Sequence, residues 1–174
     1  VAISFAGLMD VFQLPIPLAV LLGLLIGLAA GLFNGVIIAF TGISAFIITL
    51  ASLSVFKGIN LGITEAQPFY GVAESVKAFG NSSLLGTLPL LIIPMSICLV
   101  GFWVLLNRMR YGRHLLAVGA SPTAASLVGI SVRNIVIGTH ALSGLLAAVA
   151  GMMVVARLQI GQPTIGDDWL ILSF

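Results

Sequence analysis

Charge is what this sequence has least of. Asp, Glu, Lys and Arg make up 7% of it, against 60% hydrophobic residues and a mean hydropathy of +1.23. An ordinary soluble domain carries about 25% charged residues. So few cannot cover the surface of a soluble protein of 174 residues, and the composition implies an integral membrane protein with several helices. There is one cysteine, Cys98, inside an apolar run. It excludes an internal disulfide and reads as a small buried apolar residue. His114 and His140 stand at no metal-ligand spacing with a cysteine or an acid, which argues against a zinc site. Both lysines, Lys57 and Lys77, follow Phe56 and Val76, so the Gly-Lys-Ser/Thr of a phosphate-binding loop is missing. The chain is not expected to be an enzyme or to hold a cofactor. The arginines are confined largely to one segment between apolar runs, which argues against nucleic-acid binding.

What is present is hydrocarbon-length apolar segments. Residues 18–40 carry no charge and are long enough to span a bilayer core of about 30 Å. Gly23, Gly27, Gly31 and Gly35 recur every fourth position along them. In lipid such a groove lets another helix backbone approach closely, although a groove of this kind can also border a solute path. Asn34 lies beside it. After a turn at Thr41-Gly42, residues 43–56 form a short run interrupted by Lys57. If Lys57 snorkels, the helix continues to about Ile63 and spans; a re-entrant segment is the alternative. Ser44, Thr49, Ser52 and Ser54 make it rich in hydroxyls, which either bond back to helix carbonyls or face a polar solute. Residues 64–87 are polar, with a short surface helix expected near 72–79. Residues 88–107 form the next span, with Pro89 suited to its first turn and Pro94 expected to kink it. Residues 135–156 form the last complete span. Its Ser143, Ala147 and Gly151, and likewise Gly144 and Ala148, place small residues every fourth position. Residues 1–9 and the closing LILSF are partial apolar elements, and the chain is expected to be an internal piece of a longer protein. The expected fold is all-α: a polytopic helix bundle with four complete spans and two partial ones, forming a single domain over 1–174.

The segment Asn107–Arg133 holds Arg108, Arg110, Arg113 and Arg133, four of the seven Lys and Arg residues, and no acid. The excess of positive charge on cytoplasmic loops places it inside the cell. The 64–87 and 159–168 loops then emerge on the outer side. Within the inner segment, Ser121 can cap a helix, Pro122 suits its first position, and Gly129 is placed to end it after Val128. His140 lies inside a span, seven residues past Arg133. It reads as a neutral side chain bonded to a neighbouring helix or water, or as a gate contact. Asp167-Asp168 suggest a helix cap or a docking contact. A weak echo links AQPFYG (66–71) with GQPTIG (161–166); if meaningful, the two loops would form an outer vestibule.

The stretches RYGRHLLAVGASPTAASLVGISV and ALSGLLAAVAGMMVVARLQIGQPTIG, with GLFNG and ISAFIITLASLSVFKGI upstream, closely resemble the permease subunits of bacterial ABC importers for sugars of the ribose/xylose/galactose type. The resemblance runs from about Gly27 to Asp168. It implies a subunit of the bacterial inner membrane that pairs with a second permease subunit, docks a cytoplasmic ABC ATPase through residues 108–134, and receives solute from an extracytoplasmic solute-binding protein. It makes Gly119 to Gly129 the coupling segment, with Ser121, Pro122, Thr123, Ala124 and Ala125 at its heart and Arg110, Gly112 and Arg113 in the adjoining motif. Ala124 and Ala125 are expected to face the ATPase. The family often carries an acid in the stretch where this chain has Ser121-Pro122-Thr123-Ala124, so a salt bridge from that position is not expected here. For solute contacts, Asn34, Phe46, Thr49 and Asn60 combine a ring with amides and a hydroxyl, which suits a sugar's apolar face and hydroxyl rim; helix packing is the competing role for each. Beside the sugar importer stand a structural membrane scaffold and two other transport readings. One is a permease of the branched-chain amino-acid type. The other is a secondary transporter, which would normally need membrane acids that the four spans lack.

Overall fold

The first long helix starts where two prolines allow it. In the computed structural model, which describes residues 1–65, 67–84 and 88–162, Pro15 is the extended cap residue of α2 (Ile16–Thr41) and Pro17 lies in its first turn, where a missing N–H costs no helical bond. A short α1 (Ala2–Asp10) precedes it. α2 closes on Gly42, whose φ of 68° is left-handed, the usual helix stop. α3 (Ala45–Thr64) then runs unbroken through Lys57 for 20 residues, about 30 Å at 1.5 Å per residue. The re-entrant alternative is thereby set aside. α4 (Glu74–Asn81) is the short amphipathic helix of the polar segment. A two-residue antiparallel pairing of β1 (Ser83–Leu84) with β2 (Leu88–Pro89) follows. It is the one strand ladder among the described residues of an otherwise helical chain.

α5 (Ile92–Arg108) begins later than the sequence suggests. Pro89 belongs to β2 and not to a helical turn. Pro94 falls in the first turn of α5, where its ring meets no preceding helical carbonyl, so it produces no kink. The bend comes at the other end: α5 meets α6 (Arg110–Ala120) at 75° across Met109. α7 (Pro122–Leu127) and α8 (Val132–Leu158) complete the described chain. Among the described residues, α2, α3 and α8 are long and apolar enough to cross a membrane, and the bent pair α5–α6 makes a fourth candidate. The closing LILSF lies outside the described residues.

The bundle is built on α2 against α8, its most extensive helix contact. Gly27, Gly31 and Gly35 of α2 face Gly144, Ala148, His140 and Ile137 of α8. A methyl group on Gly27 would stand 2.6 Å from both the Ala148 Cβ and the Gly144 carbonyl oxygen. One on Gly31 would collide with the His140 carbonyl, and one on Gly144 with that of Gly27. Backbones this close gain dispersion contact that lipid tails cannot match. Gly23 meets Met152 and Phe5, and Gly151 meets Ala2, so these two glycines seat α1. Ser143 and Ala147 do not share the α2 contact face proper. They flank it and look into a cleft described below.

The buried apolar core lies toward one end, where Phe5, Ala6 and Met9 of α1 meet Ala19, Val72, Val76, Val155 and Ala156. α4 is pressed onto α8 there, with Gly80 directly against the Ala156 carbonyl. α5 has no buried residue among its described positions. Cys98 is accordingly half-buried rather than buried, on an apolar cavity between α5 and α8.

Candidate functional sites: a rigid connector and two polar cavities

The Arg-rich connector between α5 and α8 is helical for most of its length. Ser121 Oγ accepts from the Ala124 N–H at 3.2 Å, and Pro122 is the first residue of α7. At the other end Gly129 takes φ +81°. Its N–H donates to the Ser126 carbonyl at 3.1 Å, and the Ile130 N–H donates to the Ala125 carbonyl at 3.0 Å. This pair of bonds is the Schellman closure, and Ile130 packs beside Ala125 as its hydrophobic companion. A helix of six residues has little intrinsic stability; caps at both ends and anchoring contacts supply it.

Those contacts correct one expectation. Ala125 does not face outward. It is 3% exposed and packs against Val118 of α6 and Ile135 of α8, while Ala124 and Thr123 are exposed. The two alanines are about 100° apart on the helix, so they cannot share a face. α6 is fixed in turn. Gly112 lies against the Leu105 carbonyl and Leu106 of α5. Tyr111 Oη donates to the Ile135 carbonyl at 3.2 Å and lies 3.3 Å from Thr139 Oγ1. Arg133 stacks over the Phe40 ring at 4.6 Å, tying the start of α8 to the end of α2. The outward side of the connector presents Leu127 (85% exposed), Val128 (74%) and Leu116 (64%), with Arg110, Arg113, His114, Gly119 and Pro122 also exposed. α6 and Tyr111 were missed in the sequence. The signal was there: Tyr111, Leu115 and Val118 fall at i, i+4 and i+7, but Gly112 and Gly119 obscured it.

Of the four solute-contact candidates, the structure joins two. Asn34 and Thr49 line a cleft of 240 Å³ between α2, α3 and α8, together with Phe56, His140, Ser143 and Ala147. Ser52, 5% exposed, donates from Oγ to Asn34 Oδ1 and links α3 to α2. Thr49 Oγ1 donates to the Phe46 carbonyl at 3.1 Å, and Ser54 Oγ to that of Leu50 at 3.3 Å. Thr64 Oγ1 donates likewise to the Asn60 carbonyl at 2.8 Å, so back-bonding accounts for three of the α3 hydroxyls. His140 Nδ1 lies 2.9 Å from the Val136 carbonyl of its own helix. That nitrogen is thus bonded within α8 and not to a neighbouring helix. Phe46 sits at the start of α3 and lines none of the cavities described here.

Asn60 belongs to a second cavity, of 670 Å³, at the opposite end of α3. Asp10, Phe12, Thr64, Glu65 and Phe69 share its wall. Here the two echoing segments meet: Phe69 and Gly161 exchange two backbone hydrogen bonds, each 2.9 Å. Residues 163–166 of the second segment and the Asp167-Asp168 pair lie outside the described residues. Nearby, Lys77 Nζ donates to the Tyr70 carbonyl and Arg157 Nη1 to that of Gly80, both at 3.5 Å. Among the described residues no three His, Cys, Asp or Glu side chains come together as metal ligands do.

Comparison with known proteins gives this geometry a family. The chain is 40% identical over 154 residues to the ribose import permease protein RbsC of Bacillus subtilis (strain 168), covering 87% of this chain and 48% of that protein. It is 36% identical over 171 residues to the autoinducer 2 import system permease protein LsrD of Enterobacter sp. (strain 638), covering 95% and 52%. It is 37% identical over 142 residues to the L-arabinose transport system permease protein AraH of Escherichia coli (strain K12), covering 80% and 43%. The chain thus spans about half the length of the curated relatives it matches. No solved structure matches it. The model of the branched-chain amino acid transport system / permease component family matches residues 1–174, and the chain, a multi-pass membrane protein, belongs to that family.

Proposed function

We propose that the chain forms part of the membrane-spanning subunit of an ATP-driven importer, contributing to the path of a sugar delivered by an extracytoplasmic binding protein. One observation carries the reading: α7 is capped at both ends and held between α6 and α8. A motor cannot transmit a stroke through a soft connector. Packed elements instead switch between discrete arrangements, and this one is anchored to the helix that packs most extensively on α2. The relatives' names point to ribose, L-arabinose and autoinducer 2 as imported solutes, which supports the sugar reading over the amino-acid one. Hydrolysis is assigned to a separate ATPase subunit, docked on the exposed face of Thr123, Ala124, Leu127 and Val128 on the cytoplasmic side. Ala125, Gly112 and Gly129 serve that docking indirectly, by holding α7 in place. A second permease subunit completes the transporter, and residues 1–174 act as one membrane domain.

The test is reconstitution of the full-length protein in liposomes with its ATPase and binding protein. ATP-dependent uptake of labelled ribose or arabinose, and none of leucine, is the expected result. Leucine uptake without pentose uptake would favour the amino-acid type. Pentose uptake without ATP or ATPase would overturn the importer reading.

A further inference from the structure

The bonds already made inside the 240 Å³ cleft decide what each polar group still offers a solute. Asn34 Oδ1 is taken up by the Ser52 hydroxyl, so the amide presents its N–H donors. The Thr49 hydroxyl proton goes to the Phe46 carbonyl, so its oxygen presents lone pairs. His140 Nδ1 faces the Val136 carbonyl, and a carbonyl only accepts. Nδ1 is therefore the donor in this contact, and Nε2 is the ring nitrogen left for a solute. Ser143 can do either. Phe56 lines the same wall and meets the Phe33 ring edge-on, centroids 6.2 Å apart and planes at 62°. Among the described residues, no Asp, Glu, Lys or Arg side chain lines the cleft, whose wall also includes Val1. Its volume is below the roughly 300 Å³ at which drug-sized sites begin, which leaves room for one small solute.

Resting on the importer reading, we infer that this cleft is a solute station on the translocation path, selective for a neutral polyhydroxylated solute, with His140 Nε2 and Ser143 as specificity-determining groups. A sugar hydroxyl both donates and accepts, so a wall of separated donors and acceptors beside an aromatic face satisfies its rim. An amino acid would bring an ammonium and a carboxylate against a wall with no oppositely charged side chain among the described residues, which is unfavourable.

The test uses the full-length permease reconstituted with its ATPase and binding protein. In a Cys98→Ala background, Ser143→Cys changes little volume. A small water-soluble methanethiosulfonate is expected to modify it, at least fivefold more slowly during turnover with ribose. Failure to label, or labelling unaffected by ribose, overturns the station. His140→Leu is expected to lower ribose uptake at least tenfold. His140→Gln, which restores an acceptor oxygen, is expected to recover at least a third of the uptake. Unchanged uptake in His140→Leu, or equal loss in both variants, overturns the role of Nε2. These outcomes are separate from failure of the importer reading, in which the wild-type complex itself would import no pentose.

Discussion

Ala124 and Ala125 are adjacent and chemically identical, yet they have opposite surroundings. Ala125 fills a tight contact with Val118 and Ile135, whereas Ala124 is exposed. Ala125→Phe is expected to overpack the connector and cost about 1–3 kcal/mol, read as a lower Tm of the purified full-length protein in detergent. Ala124→Trp is expected to leave Tm nearly unchanged but to lower transport-coupled ATPase activity at least tenfold. Equal stability of the two variants would contradict the burial pattern, and unchanged coupling in Ala124→Trp would remove the docking face. Tyr111 is a second residue-scale anchor. Tyr111→Phe keeps the ring against Gly138 and loses the hydroxyl bonds to Ile135 and Thr139, an expected loss of about 1 kcal/mol in the same measurement.

At the scale of elements, α7 depends on its ends and the α2–α8 pair on its middle. Ser121→Ala removes the side-chain acceptor for the Ala124 N–H, at about 1 kcal/mol. Gly129→Ala forces a Cβ into left-handed backbone, at about 1–2 kcal/mol. Both variants are expected to loosen α7 and raise hydrogen exchange at Ala125 and Ile130, whose backbone groups close the helix. Gly31→Leu acts differently. It places a branched side chain where a single methyl already strikes the His140 carbonyl. Loss of a monodisperse protein on size exclusion is the expected outcome, with the isosteric exposed change Leu21→Ile as the silent control. The same contact explains which small-residue stripe of α8 touches α2. Gly144 and Ala148 do; Ser143, one position earlier on the helical wheel, turns toward the cleft. A sequence period of four marks both stripes equally, and only the docked partner helix tells them apart.

For the whole molecule, the connector and the Phe69–Gly161 junction lie at opposite ends of the spanning helices. Leu127→Cys is expected to react with a membrane-impermeant thiol reagent only in inside-out vesicles, and Tyr70→Cys only in right-side-out ones. The reverse pattern would invert the topology drawn from the arginines of the connector. Much of the architecture was legible because bilayer thickness sets helix length, and because Pro15, Pro17 and Gly42 mark the ends of α2 in ways that need no tertiary contact. The cap of α7 was legible for the same reason, since Ser121, Pro122 and Gly129 act on their own backbone. The start of α5 was less so, because Pro94 fits a first turn and a kinked interior equally well until the β1–β2 pairing shows where the helix begins. The candidate site was only half legible. Asn34 and Thr49 converge, but Asn60, on the same helix as Thr49, reaches a different cavity near the other end of α3, and a list of polar residues carries no depth coordinate.

The sequence by itself determined that this chain lives in a membrane, where its long helices run, and that a capped helix interrupts its arginine-rich segment. Those properties follow from local backbone chemistry and from the cost of placing charge in hydrocarbon. The tertiary structure alone decided which alanine of α7 is exposed, which face of α8 meets α2, and that His140, Ser143, Asn34 and Thr49 border one cleft. Each of those depends on the rotation of one helix about its axis relative to another. Close backbone packing sets that rotation, and the 3.6-residue period leaves it open.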